Sequence, residues 1–180
     1  MGINWVAGLW GLAEATFFFI VPDVWLSIAG RKNLRTGLIA CVFSLMGALL
    51  GGMLMYLWGN SNQSYVNHVL ETIPAIDAVM IKMANNQLQQ QGIIAVLLGP
   101  LSGTPYKIYA VQAAGHEISL WLFMFITIPA RLIRFMLVTT FFHYALKAVY
   151  RFTGYEHHLK LLLISWFGFY GFYFSFFILR

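Results

Sequence analysis

The chain has 180 residues, of which 60% are hydrophobic, 17% aromatic and only 9% charged. This composition is too apolar for a soluble globular domain of that length and predicts an all-α integral membrane protein. The formal net charge is +5, but the bases are spread along loops and apolar segments, so we expect no nucleic-acid partner. With a single cysteine, Cys41, this sequence can build neither an intramolecular disulfide nor a cysteine-based metal cluster.

Five apolar stretches follow one another along the chain: 3–29, 37–59, 92–115, 118–146 and 160–179. The first and third contain the residues that we expect to break a helix into a hairpin: Pro22, Gly99, Pro100, Gly103 and Pro105. Proline removes a backbone donor and clashes with the preceding turn, and backbone groups freed in this way need protein or water around them at membrane depth. Both stretches are therefore predicted to be re-entrant hairpins.

The distribution of Lys and Arg supports this topology, because cytoplasmic flanks carry an excess of them. If all five stretches crossed the membrane, the flanking bases would divide four to four between the two sides. If the first and third enter and leave on one side, the division is six to two. We therefore expect the N-terminus and the loops at 31–36 and 147–160 in the cytoplasm.

The predicted parts form an inverted repeat within one membrane domain, 1–180. A hairpin and a spanning helix (3–59) precede an external amphipathic connection (60–91), whose tail at 85–91 is expected to be a loop. A second hairpin and helix (92–150) then enter from the opposite face, and an aromatic helix at 160–179 spans the membrane at the periphery. The fold class is thus two re-entrant helical hairpins plus about three spanning helices. Transporters built in this way hold their substrate near the midplane, between broken helices.

Five ionisable side chains interrupt the apolar stretches: Glu14, Asp23, Lys107, Arg131 and Arg134. A charge at the centre of a membrane helix costs roughly 2.5 to 3.5 kcal/mol, so all five cannot face lipid within a stability of about 5 to 15 kcal/mol. They must face one another or a water-filled cavity. Intramembrane charges of this kind mark the pathway of an ion or a polar substrate, and we take these five as the substrate and transport residues.

The charged residues have complementary roles in this hypothesis. A chain reversal near Pro22 lets Glu14 and Asp23 point into one cavity, whereas Arg131 and Arg134 share a helix face and form a cationic patch. Guanidinium groups bind phosphate through paired hydrogen bonds, so an anionic lipid headgroup is a natural ligand for them. Two simpler interpretations stay open: the four side chains form only structural ion pairs, and Lys107 only extends toward the membrane interface.

The remaining signals are weak. The chain contains no nucleophile elbow, no zinc-protease helix motif and no phosphate-binding glycine loop, so we expect no enzyme, no metal site and no cofactor. His157 and His158 are expected at the surface, and His143 in packing. The glycines at 47, 51 and 52 suit close helix packing within the fold better than dimerisation, although a homodimer stays open.

The ordered set of motifs resembles the DedA family, also called the VTT or SNARE-associated Golgi protein superfamily. The first half reads Glu14, Pro22-Asp23, Gly47-Ala-Leu-Leu-Gly51-Gly52 and Tyr56-Leu-Trp-Gly59. The second half reads Gly99-Pro100, Gly103-Thr-Pro105-Tyr-Lys107, Gly115 and Ala130-Arg131-Leu-Ile-Arg134-Phe135. The resemblance covers about residues 8–146.

This resemblance implies two facing re-entrant hairpins in a bacterial inner membrane and the movement of lipids between leaflets. The implied substrates are undecaprenyl phosphate or a glycerophospholipid, with the proton-motive force as a coupling source. Glu14 and Asp23 match the family's acidic positions, and Arg131 and Arg134 match its basic ones. We therefore expect a lipid flippase or scramblase. Two alternatives remain: a proton-coupled transporter of ions or small solutes, and a non-transporting membrane scaffold.

Overall fold

The computed structural model describes residues 2–99, 103–153 and 157–178. These residues form helices and loops without any strand, which confirms the all-helical class predicted from the sequence. The helices are α1 (Gly2–Thr16), α2 (Asp23–Gly30), α3 (Leu34–Glu71), α4 (Ala78–Gln91), α5 (Ile94–Leu98), α6 (Tyr106–Gly115), α7 (Leu120–Thr153) and α8 (His158–Ile178).

Two breaks divide the first and third apolar stretches at the expected places. The first break separates α1 from α2, and Pro22 occupies the N-cap position of α2. The second separates α5, which Gly99 follows, from α6, which Pro105 precedes as the N-cap residue. Within that second break Gly103 has φ = 81°, a left-handed conformation that glycine adopts without a steric penalty. Pro100 lies outside the described residues.

The same order of parts therefore occurs twice: two short helices around a break, followed by one long helix. The first set is α1, α2 and α3, and the second is α5, α6 and α7. The long members α3 and α7 are, among the described residues, the two helices that are long and apolar enough to cross a membrane. At 1.5 Å per residue, α7 measures about 51 Å, and the part of α3 before its kink at Asn62 measures about 42 Å. The inverted orientation of the two sets stays a prediction.

Helix α3 lies directly against α1, and small residues make this approach possible. A Cβ atom at Gly47 would overlap the backbone carbonyl oxygen of Gly8, and one at Gly11 would overlap that of Ser44. The expectation that Gly47 and its neighbours serve close packing within the fold is confirmed. The first hairpin is thereby fixed along the first long helix.

The connection at 60–91 is helical on both sides of a break near Pro74, and it differs from the prediction at its polar tail. The range assigned to α3 extends to Glu71, but Asn62 has non-helical backbone angles, so the residues from 63 to 71 form a helical segment of their own after a kink. The expected loop at 85–91 is wrong, because α4 is helical through Gln91. The carboxylate of Asp77 accepts a 2.7 Å hydrogen bond from the backbone N–H of Met80, which caps this helix at its start. Gly92, with φ = 58°, follows its end.

Helix α6 lies at the centre of the protein. Every residue from Tyr106 to Ala113 is buried, and these residues include the polar side chains of Lys107 and Gln112. The larger of two hydrophobic clusters surrounds it, with side chains from α3, α4, α5 and α7. The smaller cluster joins α1, α2 and the first half of α3 to Phe135 of α7.

Helix α8 lies at the periphery of the described structure, and the expectation that it spans a membrane stays a prediction. Most of its described side chains are exposed, and two polar contacts attach it to the first hairpin. Trp166 Nε1 donates a 3.0 Å hydrogen bond to Ser27 Oγ, and the hydroxyl of Tyr170 accepts one of 2.9 Å from the backbone N–H of Val21. The aromatic face of α8 thus covers the break between α1 and α2.

Candidate functional site

Helix α7 brings two arginines to the two acids of the first hairpin. Arg131 forms an ion pair with Glu14 of α1, and Arg134 Nη2 lies 2.7 Å from Asp23 Oδ2 at the start of α2. Because the arginines are three residues apart, they project from the same face of α7. Four of the five predicted site residues are therefore joined in two adjacent ion pairs, formed between segments far apart in sequence.

The two acids do not share one cavity, contrary to the expectation. Glu14 lines a cavity between the two breaks, whereas Asp23 lines a neighbouring groove between α7 and α8. The chain does reverse before Pro22, but each carboxylate turns toward a different arginine, because attraction between opposite charges replaces repulsion between like ones.

Arg131 is the most enclosed of the five side chains, with no exposed surface. Its guanidinium carbon lies 4.3 Å from the ring centroid of Tyr106, which is a cation–π contact. The ring of Phe123 stacks on the ring of Tyr106. The hydroxyl of Tyr106 in turn lies 3.1 Å from Thr127 Oγ1. Arg131 Nε and Nη1 have no hydrogen-bond partner among the described residues. The arginine is thus held by an aromatic ring and by one carboxylate.

Sequence reasoning missed Tyr106 and Thr127. Tyr106 stands between Pro105 and Lys107 at the hairpin turn. No local pattern indicates that its ring contacts Arg131, which follows 25 residues later on α7. Both side chains are buried, so their contribution became visible only when α6 and α7 were packed together.

Lys107 ties the two breaks to each other. Its ammonium group donates a 2.7 Å hydrogen bond to the backbone carbonyl oxygen of Phe18, and only 2% of the residue is exposed. The simpler interpretation, in which Lys107 extends to an interface, is wrong, because the side chain ends inside the protein. The two hairpins therefore contact each other.

A cavity of about 250 Å³, here called the central cavity, lies where the breaks meet. Three of the predicted charged residues line it: Glu14, Lys107 and Arg134. The rest of its wall comes from the two breaks, from residues 73–76 after α3 and from four aromatic residues of α8: Phe169, Tyr170, Tyr173 and Phe174. Arg131 is not among the lining residues. The cavity therefore presents two cations and one anion within an otherwise largely apolar and aromatic wall.

A second space, the lateral groove, continues from the central cavity between α7 and α8. Its volume is about 610 Å³, and it shares Val21, Arg134 and Phe169 with the central cavity. Apart from Asp23, Arg134 and Ser165, its wall is apolar, with Leu137, Val138, Phe141 and Phe142 contributed by α7. A molecule with a charged head and an apolar tail would match this pair of spaces.

The other sequence candidates occupy structural positions. Cys41 is fully buried and lies 3.3 Å from Thr139 Oγ1, and His143 Nδ1 lies 2.8 Å from the carbonyl oxygen of Gly30. The described residues contain no group of three His, Cys, Asp or Glu side chains that could hold a metal ion.

Comparison with known proteins gives one relative. The chain is 25% identical over 125 residues to a protein of Haemophilus influenzae strain Rd that is described as uncharacterized. The matched region is 69% of this chain and 64% of that protein, so the chain spans less than two thirds of its relative's length. No protein-family model matches the chain, and no solved structure matches it.

Proposed function

We propose that this chain is a multi-pass protein of a bacterial inner membrane that moves an anionic lipid between the two leaflets. The lipid class is one with a phosphate headgroup, such as undecaprenyl phosphate or a glycerophospholipid. The resemblance of the motifs to the DedA family supports this proposal. The observation that carries it is the central cavity, where two broken helices enclose Lys107, Arg134 and Glu14.

The arrangement of polar and apolar side chains supports a membrane environment. Large aromatic side chains project outward, with Trp121 83%, Phe125 72% and Phe167 82% exposed, whereas Arg131 and Lys107 are buried. In water this arrangement would leave a large apolar surface exposed and would bury charges at high cost. In a bilayer the exposed rings face lipid and the charges face one another.

The charges of the central cavity suit a phosphate headgroup. Arg134 reaches the cavity while bound to Asp23, and Lys107 faces it from the other hairpin, so a bound phosphate would contact one cation from each set of helices. A cavity of about 250 Å³ is smaller than the roughly 300 to 1,000 Å³ of sites for drug-sized ligands, which suits a headgroup rather than a whole lipid. The apolar lateral groove would hold the tail.

A transport cycle follows from competition for the arginines. A phosphate that binds Arg134 displaces Asp23, and a proton that binds the freed carboxylate neutralises it until the phosphate leaves. Movement of the two sets of helices relative to each other then opens the cavity to one leaflet or the other, as alternating access requires. In this cycle Arg131 stays with Glu14 and positions it at the cavity.

The test is the exchange of a phosphate-tagged fluorescent lipid between leaflets in proteoliposomes. We expect wild-type protein to exchange the lipid and Arg134→Gln to be about tenfold slower or more, because a charge-assisted hydrogen bond contributes about 1.5 to 3 kcal/mol. Glu14→Gln should also lose exchange. The matched control is Arg35→Gln, which removes an exposed arginine outside both cavities and should leave the rate unchanged.

Two results would contradict the proposal. A stable, monodisperse Glu14→Gln or Arg134→Gln protein with wild-type exchange would remove the charge cluster from the mechanism. Absence of exchange for every lipid tested would remove lipid transport altogether.

The small volume of the central cavity favours a second candidate, a proton-coupled transporter of a small anion that has no tail. In proteoliposomes this function would appear as proton movement that follows an added solute, without any change in lipid sidedness.

A further inference from the structure

A third space, the basic cavity, lies apart from the central cavity and is not used by the proposed transport cycle. Its volume is about 480 Å³. It is formed between the end of α2, the C-terminal part of α7 and the first residue of α8. Its lining residues are Arg31, Lys32, His143, Lys147, Tyr150 and His158.

The lining of this cavity has one sign of charge. Three side chains that are cationic at neutral pH converge on it, and none of the described residues that line it is acidic. The two ion pairs formed within the described part of the chain, Arg131–Glu14 and Arg134–Asp23, both lie elsewhere. Like charges repel when they are brought together, and a bound anion relieves this repulsion.

Two side chains of the basic cavity have unused hydrogen-bonding capacity. Arg31 Nη1 donates a 2.8 Å hydrogen bond to the carbonyl oxygen of Ile28, which uses one of the five N–H donors of this side chain. His158 Nε2 is buried and has no partner among the described residues. Because α8 begins at His158, the positive end of its helix dipole lies at the same place.

The height of this cavity along α7 indicates the kind of anion. Lys147 is 13 residues after Arg134, a distance of about 20 Å along the helix axis. If Arg134 lies near the midplane, as the proposed function requires, Lys147 lies beyond the 15 Å half-thickness of the hydrocarbon core, roughly at the level of lipid headgroups. The lateral groove, whose lining includes Phe141 and Phe142, leads to this end of α7.

From these observations we propose that the basic cavity is a second binding site, which takes the phosphate group of an anionic lipid at the membrane surface. Basic pockets between membrane helices bind phosphorylated headgroups in this way. The site is separate from Arg134 and Lys107, and its occupation requires no transport. The placement at headgroup level rests on the proposed function, whereas the anion-binding chemistry does not.

The test counts bound lipids on the purified full chain by native mass spectrometry, with dihexanoyl phosphatidic acid as the probe. We expect two bound molecules on the wild-type protein and one on Lys32→Gln/Lys147→Gln. Loss of the two lysines should lower the affinity of the basic cavity for the lipid about 30-fold. Both lysines are exposed, so the double variant should keep its fold. The matched control, Arg35→Gln/Lys160→Gln, removes the same charge from exposed residues outside the cavity and should still bind two.

The Arg134→Gln variant separates this proposal from the proposed function. It should lose the molecule in the central cavity and keep the one in the basic cavity. If the wild-type protein binds one molecule, and that molecule is lost in Lys32→Gln/Lys147→Gln, the basic cavity is supported and the central site is not.

Three results would overturn the proposal. Lys32→Gln/Lys147→Gln could bind as many molecules as the wild type, or the matched control could lose as much affinity, which would indicate general surface charge. Competition by inorganic phosphate as strong as that by phosphatidic acid would assign the site to a free phosphate and not to a lipid. Dihexanoyl phosphatidylcholine, which carries no net charge, should compete weakly.

Discussion

Lys107 Nζ donates a 2.7 Å hydrogen bond to the backbone carbonyl oxygen of Phe18 and so connects the first residues of α6 to the break that follows α1. A backbone carbonyl freed by a broken helix needs a partner when it is shielded from water, since an unpaired polar group costs free energy there. A lysine on the second hairpin supplies that partner to the first. The two breaks are therefore chemically dependent on each other, and neither hairpin is complete alone.

Replacement of this lysine tests that dependence. We expect Lys107→Met to lower the free energy of unfolding by about 1 to 3 kcal/mol, because the part-buried carbonyl of Phe18 loses its donor. Thermal unfolding of the purified protein in detergent measures the change. Lys82→Met, which alters an exposed lysine on α4, should stay within about 0.5 kcal/mol of wild type. Equal unfolding temperatures for the two variants would show that the hydrogen bond adds nothing.

The pairing of Arg131 with Glu14 predicts a specific rescue. Arg131→Met leaves a buried carboxylate without its partner and should cost about 3 to 5 kcal/mol of stability. The double variant Glu14→Gln/Arg131→Met should recover at least about 1 kcal/mol of that loss, because no unpaired charge remains. The matched control is Asp23→Asn/Arg131→Met, which should recover less, since Asp23 is hydrogen-bonded to Arg134. Equal recovery in both double variants would contradict the assigned pairs.

The sequence predicted the breaks and the charge cluster because both depend on strong signals. Proline and glycine act on the backbone next to them, so the starts of α2 at Pro22 and of α6 at Pro105 are determined locally. Charges within apolar stretches are expected to face one another or water, so a cluster of these five side chains could be predicted without knowledge of the fold. Which acid binds which arginine is a different question, because it depends on how α1 and α2 pack against α7.

The helix at the polar tail of the connection illustrates what sequence reasoning lost. A run of Asn and Gln was interpreted as a loop from its polarity alone, although glutamine is a fair helix former. The deciding feature was the cap at Asp77, eight residues before the polar tail begins. The role of α8 was lost for another reason, since a helix that is aromatic all round does not reveal in its sequence which rings face the central cavity.

Close contact between α1 and α3 makes Gly47 intolerant of a side chain. We expect Gly47→Ala to lower stability by about 1 to 3 kcal/mol, because the added methyl group meets the carbonyl of Gly8 and the two backbones must separate. Gly168→Ala is the matched control, since a Cβ atom there meets nothing within 4 Å, and alanine should favour the helix slightly. Unfolding in detergent compares the two. A Gly47→Ala protein as stable as wild type would show that the helices are not in backbone contact.

Cysteine labelling tests whether the exposed aromatic surface of α7 faces lipid, as the proposed function requires. In a Cys41→Ser background, Phe19→Cys at the first break should react with a membrane-impermeant maleimide, because it lines the central cavity. Phe125→Cys should react at least tenfold more slowly in proteoliposomes, although 72% of the Phe125 side chain is exposed, because lipid covers it. Faster labelling of Phe125→Cys would mean that water and not lipid surrounds α7.

The two ion pairs also constrain how the protein is made. Glu14 and Arg131 are 117 residues apart, so at a synthesis rate of about 5 to 20 residues per second the acid precedes its partner by about 6 to 23 s. Asp23 likewise precedes Arg134 by 111 residues. Throughout that interval the first hairpin lacks the two arginines with which its acids pair in the folded protein. A chain that stops before α7 therefore lacks both cationic partners of the first hairpin.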